Sequence, residues 1–212
     1  MTNTISQQQV WNKIASKWQS FRERAPEEVV EFLEHQKGKV LDMGCGGGRN
    51  FIKNANIIYY GVDFSEKMLG FAEAKAKKIG VRAILLEDSL DRLHFSDNFF
   101  DAAIFISTLQ CIETSEKRLK ALKELHRVLK KGGEAMITVW DKSHHERISK
   151  IKEKESYIIW KLFGDKYKRY YYFYKKSELI NLLEEVGFKI VKRKIKKRGS
   201  HSKRNIILYI RK

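Results

Sequence analysis

The fold is decided by residues 40–48, which read Val40-Leu41-Asp42-Met43-Gly44-Cys45-Gly46-Gly47-Gly48. A short apolar run, typical of a buried parallel strand, leads directly into a turn with four glycines. Only a backbone without side chains can turn so tightly and let a ligand approach. Asp63 follows Asp42 by 21 residues, at the end of the next apolar run, where a carboxylate can accept hydrogen bonds from a ribose diol. The pattern predicts a nucleotide-type site, and it also fits a dinucleotide oxidoreductase.

On either side of this stretch, short apolar runs alternate with segments of helical periodicity, which predicts βαβ units. One helix is predicted from the Ser65 cap to Ile79, and a second from about Thr114 through Leu129 to a stop at Gly132-Gly133. The predicted strands of this part are Lys39–Asp42, Ile57–Asp63, Val81–Glu87, Phe100–Ser107 and Glu134–Trp140.

The last third of the chain is predicted to contain an amphipathic helix near Ile148–Phe163 and a helix over Ser177–Val186 that Gly187 closes. Strands around Lys189–Lys196 and Asn205–Ile210 would form an antiparallel hairpin at the edge of the sheet. The expected class is α/β, a mostly parallel seven-stranded sheet with helices on both faces. We expect one domain, with N-terminal helices in 1–37, a cofactor-binding core in 38–141 and a basic part in 142–212.

The two cysteines, Cys45 and Cys111, lack the spacing of a zinc knuckle or a redox pair, and free thiols suit a reducing compartment. The segment Met1–Val10 is polar where a signal peptide needs an apolar run. No later stretch reaches the apolar length that spans a bilayer. We therefore expect a cytoplasmic protein without a metal site or a membrane segment.

Nearly all of the formal net charge of +17 lies in the last third of the chain. Residues 142–212 hold 22 Lys/Arg against 7 Asp/Glu, whereas residues 1–141 hold 21 against 19. A polyanionic partner would favour this distribution, because each neutralised phosphate releases condensed counterions. A lysine-rich surface kept for solubility or heat resistance is the alternative.

The segment Leu41-Asp42-Met43-Gly44-Cys45-Gly46 resembles the first motif of Rossmann-like methyltransferases more closely than the glycine turn of dehydrogenases. The resemblance spans residues 38–140 and includes the turn Leu129–Gly133. It implies S-adenosylmethionine as the cofactor, with Asp42 near the methionine amino group, Asp63 at the ribose and Asp88-Ser89 at the adenine. The other residues implied for cofactor binding are Gly44, Cys45, Gly46, Phe64, Met68 and Ser107.

The chemistry that each class of methyl acceptor requires narrows the set of possible acceptors. The motif typical of amine methylation is missing, because the segment after the fourth strand reads Ser107-Thr108-Leu109-Gln110-Cys111. Methylation of a base carbon requires a nucleophilic thiol, and Cys111 is interpreted as ordinary packing, since no neighbour in the sequence lowers its pKa. A carboxylate acceptor is already ionised at neutral pH. The reaction rate would then depend mainly on how the protein positions this carboxylate.

Three segments resemble the tRNA wobble-uridine carboxymethyl methyltransferases, which esterify a 5-carboxymethyl group on the anticodon wobble uridine. These segments are Val10–Ala15 with Arg22 and Val29–Leu33, then Arg169–Tyr174 with Glu178-Leu179, then Arg204-Asn205. The resemblance implies acceptor positioning by Arg22, Gln110, Arg169, Tyr172, Arg204 and Asn205. The chain departs from the family where Gln110-Cys111 and Tyr172 replace histidines and Pro26 replaces a tryptophan. His144 and His145 are interpreted as loop residues.

We expect the basic part to bind the tRNA anticodon region. The rings of Tyr170–Tyr174, beside Lys166, Lys168 and Arg169, would stack on bases, and Lys192, Lys194 and Lys196 would contact phosphates. The resemblance also implies a small zinc-ribbon activator subunit, which we expect at an edge strand near Val81–Leu86. The alternatives are a small-molecule methyltransferase of the quinone or sterol type and a non-catalytic basic RNA-binding module.

Overall fold

The computed structural model describes residues 5–144, 149–162, 164–191 and 203–212. The helices are α1 (Gln7–Ser20), α2 (Glu27–Glu34), α3 (Glu66–Ile79), α4 (Ser115–Val128) and α5 (Lys176–Val186). The strands are β1 (Gly38–Met43), β2 (Ile57–Asp63), β3 (Arg82–Glu87), β4 (Phe100–Ile106), β5 (Leu129–Trp140), β6 (Glu155–Leu162), β7 (Asp165–Tyr172), β8 (Lys189–Val191) and β9 (Asn205–Arg211).

A seven-stranded sheet forms the centre of the molecule, with the strand order β3-β2-β1-β4-β5-β9-β8. The strands from β3 to β5 are parallel, whereas β9 is antiparallel to both β5 and β8. The predicted α/β class and its antiparallel C-terminal hairpin are thereby confirmed. The strand β3 lies at one edge of the sheet, as predicted.

Helices cover both faces of this sheet. On one face, Leu122 of α4 and Leu183 of α5 belong to the same buried cluster as Phe105 of β4. On the other face, Phe32 of α2 and Ala72 of α3 pack in a second cluster. Since the central strands are buried on both sides, their sequences are nearly continuous apolar runs, which is why the sequence predicts them well.

The helix α3 begins and ends where the sequence predicts. The Ser65 hydroxyl accepts a hydrogen bond from the Met68 N–H at 3.2 Å, and Gly80 follows the last turn in the left-handed conformation. Gly187 closes α5 in the same way. Because α3 starts directly after β2, its first turn lies beside Asp63.

The helix predicted near Ile148–Phe163 is wrong. Residues Glu155–Leu162 form the strand β6, which pairs with β7 in an antiparallel hairpin separate from the main sheet. The burial of β6 alternates between exposed and half-buried residues, which is the period of a strand with one covered face. Ile158 and Leu162 are four residues apart, a spacing that a helix and an alternating strand share, so the periodicity misled the prediction.

The second predicted helix ends earlier than expected. The helix α4 stops at Val128, and Leu129 already belongs to β5, where it pairs with Phe100. The glycines Gly132 and Gly133 therefore lie inside the strand, next to an irregularity between Phe100 and Ala102. Glycine often marks such a disturbance in a strand.

The helix α1 joins the β6–β7 hairpin to the core. The side chain of Gln7 accepts a hydrogen bond from the Tyr170 N–H and donates one to the Lys168 carbonyl oxygen, both at 3.0 Å. The Ser65 hydroxyl donates to Asn12 of α1 at 2.6 Å. The hairpin and the first turn of α3 are thus both held by the first half of α1.

Some predictions fall outside the described residues: the phosphate contacts of Lys192, Lys194 and Lys196, and the assignment of His145. Backbone at His144 forms the end of a short 3-10 turn. Across the helices that the structure describes, none combines the length and apolar character needed to cross a membrane.

Candidate active site

A cleft opens at the carboxyl ends of β1, β2 and β4. In an open α/β sheet this is the edge where ligands bind. The helix α1 and the hairpin contribute the opposite wall. The lining residues are Trp11, Trp18, Gln19, Arg22, Gly44, Cys45, Gly46, Gly47, Arg49, Asn50, Asp63, Phe64, Met68, Ile106, Ser107, Thr108, Cys111, Trp140 and Tyr171.

The glycine turn after β1 forms the floor of this cleft. The N–H groups of Gly44 and Cys45 donate to the Val62 carbonyl oxygen at 2.7 and 3.1 Å, which ties the turn to β2. Gly44 has φ +70°, and a Cβ there would overlap the Thr108 side chain. Gly46 has φ +51° with open space beside it. The turn therefore requires glycine and leaves room for a ligand against the backbone.

Asp63 ends β2 inside the cleft. Its two carboxylate oxygens accept hydrogen bonds from the Gly46 N–H and the Ser65 N–H, each at 2.9 Å. Burial raises the pKa of Asp63 to about 6, although these hydrogen bonds act in the opposite direction. Each oxygen keeps a further lone pair, so the carboxylate can accept hydroxyl groups of a ligand.

Asp42 is fully buried and does not line the cleft. The Asn50 amide donates to both of its oxygens, at 3.2 and 3.4 Å. Burial raises the pKa of Asp42 to about 7, with the Asn50 hydrogen bond opposing. Within the described part of the chain, the buried Oδ1 of Asn50 has no hydrogen-bond partner. Asn50, which no sequence motif indicates, is therefore the group that faces the cleft at this point.

Two arginines line the cleft beside the glycine turn. The Arg22 guanidinium lies over the Trp18 ring at 4.9 Å from its centroid. Arg49 directly follows the glycines, and burial lowers its pKa to about 10, with the Arg22 charge adding to the effect. The sequence pattern indicates Arg22 but not Arg49, although the position of Arg49 next to the glycine turn is a usable signal.

Comparison with known proteins identifies the family. A family model described as a methyltransferase domain matches residues 40–133. A protein of Encephalitozoon cuniculi named as a methyltransferase is 33% identical over 157 residues, which cover 72% of this chain and 70% of that protein. This chain belongs to the methyltransferases.

Other relatives support the more specific resemblance. The tRNA (carboxymethyluridine(34)-5-O)-methyltransferase of Schizosaccharomyces pombe is 29% identical over 208 residues, covering 86% of this chain and 88% of that protein. The chain spans about a third of longer relatives from Arabidopsis thaliana and Mus musculus. An S-adenosylmethionine-dependent methyltransferase structure from Methanosarcina mazei has a TM-score of 0.69 at 20% identity, covering 89% of this chain and 96% of that one. The methyltransferase fold is thereby confirmed.

Most of the residues predicted to bind the cofactor lie together in the methyltransferase cleft: Gly44, Cys45, Gly46, Asp63, Phe64, Met68 and Ser107. Asp88 and Ser89 lie outside its lining. The Asp88 carboxylate contacts the His94 ring at 2.7 Å, and the Ser89 hydroxyl donates to Asp91. The Asp88 N–H donates to the Asp63 carbonyl oxygen at 3.2 Å. Asp88 and Ser89 therefore lie next to the cleft but do not line it.

Arg169 and Tyr171 place the hairpin against the cleft of the methyltransferase. The Arg169 guanidinium is buried 4.9–5.9 Å from the ring centroids of Trp160, Trp18, Tyr171 and Trp11. It donates to the Tyr171 hydroxyl at 2.6 Å. Tyr171 lines the cleft, whereas Arg169 lies behind it.

Tyr172, which the resemblance put at the acceptor, points elsewhere. Its hydroxyl donates to Glu178, and the Arg118 guanidinium lies 4.0 Å from its ring centroid. Successive side chains of a strand face opposite sides, so a shift of one residue moves the contact from Tyr172 to Tyr171.

The other predicted acceptor residues also lie outside the lining of the cleft. The Gln110 side chain is buried, and its carbonyl oxygen accepts the Trp140 N–H. The neighbouring Cys111 lines the cleft, where burial raises the pKa of its thiol to about 12 although Arg169 and Arg22 oppose this. The thiol is therefore protonated at neutral pH. Arg204 is exposed and Asn205 half-buried at the start of β9.

The aromatic run on β7 is mostly interior. Tyr170, Tyr171, Phe173 and Tyr174 are buried, so the prediction that these rings stack on RNA bases is wrong for four of the five. The hairpin packs this run against α1 and the core, which the sequence could not show. Over the described ranges, no group of three or more His, Cys, Asp or Glu could hold a metal ion.

Proposed function

We propose that this methyltransferase esterifies the carboxylate of a 5-carboxymethyl group on the wobble uridine of tRNA. The observation that carries the proposal is the composition of the cleft at the end of β1. One side has the glycine turn and Asp63, and the other has Arg22 and Tyr171. The named activity of the Schizosaccharomyces pombe relative matches this arrangement.

The residues present fit S-adenosylmethionine. Asp63 has lone pairs for the ribose hydroxyls, and Gly46 leaves space above the backbone. The unpaired Asn50 Oδ1, backed by Asp42, suits the methionine ammonium group, and Arg49 suits its carboxylate. When bound, the cofactor supplies a methyl group on a positively charged sulfur, which leaves as a neutral thioether.

The acceptor needs no general base in this proposal. A carboxylate is ionised at neutral pH, and its oxygen gains the methyl group without losing a proton. This agrees with the neutral thiol of Cys111, which offers neither a base nor a nucleophile.

The protein's contribution is therefore to position the acceptor. Arg22 presents a guanidinium to the cleft, where it would bind one edge of the carboxylate. The Tyr171 hydroxyl accepts its hydrogen bond from Arg169, which leaves its own proton free to donate into the cleft. One cation and one hydroxyl orient the anion while leaving an oxygen lone pair for the methyl group.

We also propose that the chain acts as a single cytoplasmic unit with a zinc-ribbon activator subunit. The edge strand β3 exposes main-chain groups to which another strand can pair. Its Ile84 is 46% exposed, an apolar group that a partner would cover.

Nucleoside mass spectrometry tests the proposal. The full chain, with the activator, is incubated with S-adenosylmethionine and tRNA that carries 5-carboxymethyluridine at the wobble position. We expect the methyl ester at that position and nowhere else in the tRNA. Cofactor binding without any methyl ester would overturn the tRNA assignment, and methylation of a lipid quinone instead would establish a small-molecule methyltransferase.

A further inference from the structure

The outward side of the β6–β7 hairpin is a surface that the catalytic cleft does not use. It consists of Tyr157, Ile159, Lys161, Lys166 and Lys168, hereafter the hairpin outer face. In the register of the hairpin, Ile159 is paired with Lys168 and Lys161 with Lys166. All five side chains therefore project from the same side of a two-stranded sheet.

This face exposes apolar groups that a free surface would hide. Tyr157 and Ile159 are each 52% exposed, and they are two of the five large hydrophobic residues most exposed in the described part of the chain. Clustered exposed apolar groups rimmed by polar ones mark an interaction site.

The charge of the face selects an anionic partner. Lys161, Lys166 and Lys168 are exposed at the tip half of the hairpin, and no ion pair joins them to any described residue. Glu155 and Glu113 lie at the base, where they accept from Tyr170 and Tyr157. Asp165 lies at the tip but projects from the opposite side of the hairpin, where it accepts from Tyr167. An aromatic ring beside unpaired cations is the composition that binds single-stranded nucleic acid.

The position of the face links it to the cleft. The same strand β7 carries Lys168 on the outer face and Arg169 and Tyr171 behind it, where Tyr171 lines the cleft. The side of the sheet that carries Lys168 thus faces solvent toward the hairpin tip, and the opposite side contributes Tyr171 to the cleft. An RNA strand that delivers one base into the cleft can therefore lie along this hairpin.

We propose that the hairpin outer face binds the single-stranded nucleotides that flank the acceptor uridine, with a base against Tyr157 and Ile159 and phosphates on the three lysines. This inference rests on the proposed function. It replaces the buried ring run of β7 with an exposed stacking platform on β6.

The test compares two triple variants of the full chain. Lys161→Ala/Lys166→Ala/Lys168→Ala removes the lysines of the face, and Lys117→Ala/Lys120→Ala/Lys123→Ala removes three exposed lysines of α4. We expect the first variant to bind tRNA about 10-fold more weakly or worse. The slope of the logarithm of its binding constant against the logarithm of the salt concentration should be shallower by about 2, since each lost single-strand phosphate contact contributes roughly 0.7. The second should bind as the unchanged protein does, and both should bind S-adenosylmethionine normally.

A second measurement addresses the apolar part of the face. Tyr157→Ala should weaken tRNA binding by about 10-fold, whereas Ile5→Ala, at another exposed apolar site, should not. Photocrosslinking of tRNA with 4-thiouridine beside the wobble position should label residues 155–168.

Three outcomes would overturn the inference: equal tRNA affinity in the two triple variants, crosslinks confined to other elements, or lysine-dependent binding to anionic vesicles with tRNA affinity unaffected. The outcome is separable from that of the proposed function. If tRNA binds through this face and no methyl ester forms, the function fails and the surface stands.

Discussion

At the residue scale, the two buried carboxylates make cofactor binding depend on pH. Burial raises the pKa of Asp63 to about 6 and that of Asp42 to about 7, so both are partly protonated near neutrality. A cationic ligand favours the ionised forms, so binding releases protons. Affinity for S-adenosylmethionine should therefore rise as the pH increases from about 5.5 to 7.5 and level off above that. Calorimetry in buffers of different ionisation enthalpy measures the released protons; proton uptake would contradict the argument.

Asp63 itself is tested by Asp63→Asn. The amide has one acceptor oxygen where the carboxylate has two, and the hydrogen bonds it loses are to a charged group. We expect S-adenosylmethionine to bind roughly 10- to 100-fold more weakly, from about 1.5–3 kcal/mol per such bond. Asp88→Asn is the matched control, since Asp88 does not line the cleft. Equal losses in both variants would show that the effect is structural.

Sequence reasoning located single residues well where a motif fixed the backbone. Gly44, Gly46 and Asp63 stand in the cleft because the turn after β1 and the end of β2 are adjacent in any parallel sheet. Residues assigned by resemblance alone were less secure. The resemblance indicated Tyr172, whereas Tyr171 lines the cleft. A motif does not reveal which face of its strand is covered.

At the element scale, the hairpin shows what periodicity cannot decide. The apolar residues of β6 have spacings compatible with a helix, and only the pairing with β7 makes them a strand. That pairing depends on long-range contacts, such as the bonds of Gln7 to β7 across more than 160 residues. By contrast, β1, β2 and α3 carry their own signals in a buried run, a glycine turn and a serine cap.

The stability of this hairpin should depend on Arg169. Its guanidinium is buried among four aromatic rings and donates to Tyr171, so Arg169→Met removes the cation–π contacts and that hydrogen bond. We expect the free energy of unfolding to fall by about 2–4 kcal/mol. Lys168→Met, the exposed neighbour on the other face, should change it by no more than about 0.5 kcal/mol. Urea denaturation measures both, and similar values for the two variants would refute a stabilising role for the buried arginine.

At the scale of the whole molecule, two exposed surfaces lie outside the cleft. The hairpin outer face is formed by β6 and β7. The strand β3 is the edge of the main sheet next to β2, and its Ile84 is exposed. The α/β core between them was predictable because its runs are local and periodic. The arrangement of α1, which contacts both α3 and β7, was not predictable, because no local pattern encodes it.

The edge strand leads to a prediction about assembly. If a zinc-ribbon activator pairs with β3, the charged side chain in Ile84→Asp would be buried at the interface without a partner, which is costly. We expect the affinity for the activator to fall at least about 10-fold, while binding of S-adenosylmethionine by the chain alone is retained. Ile5→Asp, the same change at an exposed residue before α1, serves as the control. Titration of labelled activator gives both affinities, and an unaltered affinity for Ile84→Asp would place the partner elsewhere on the molecule.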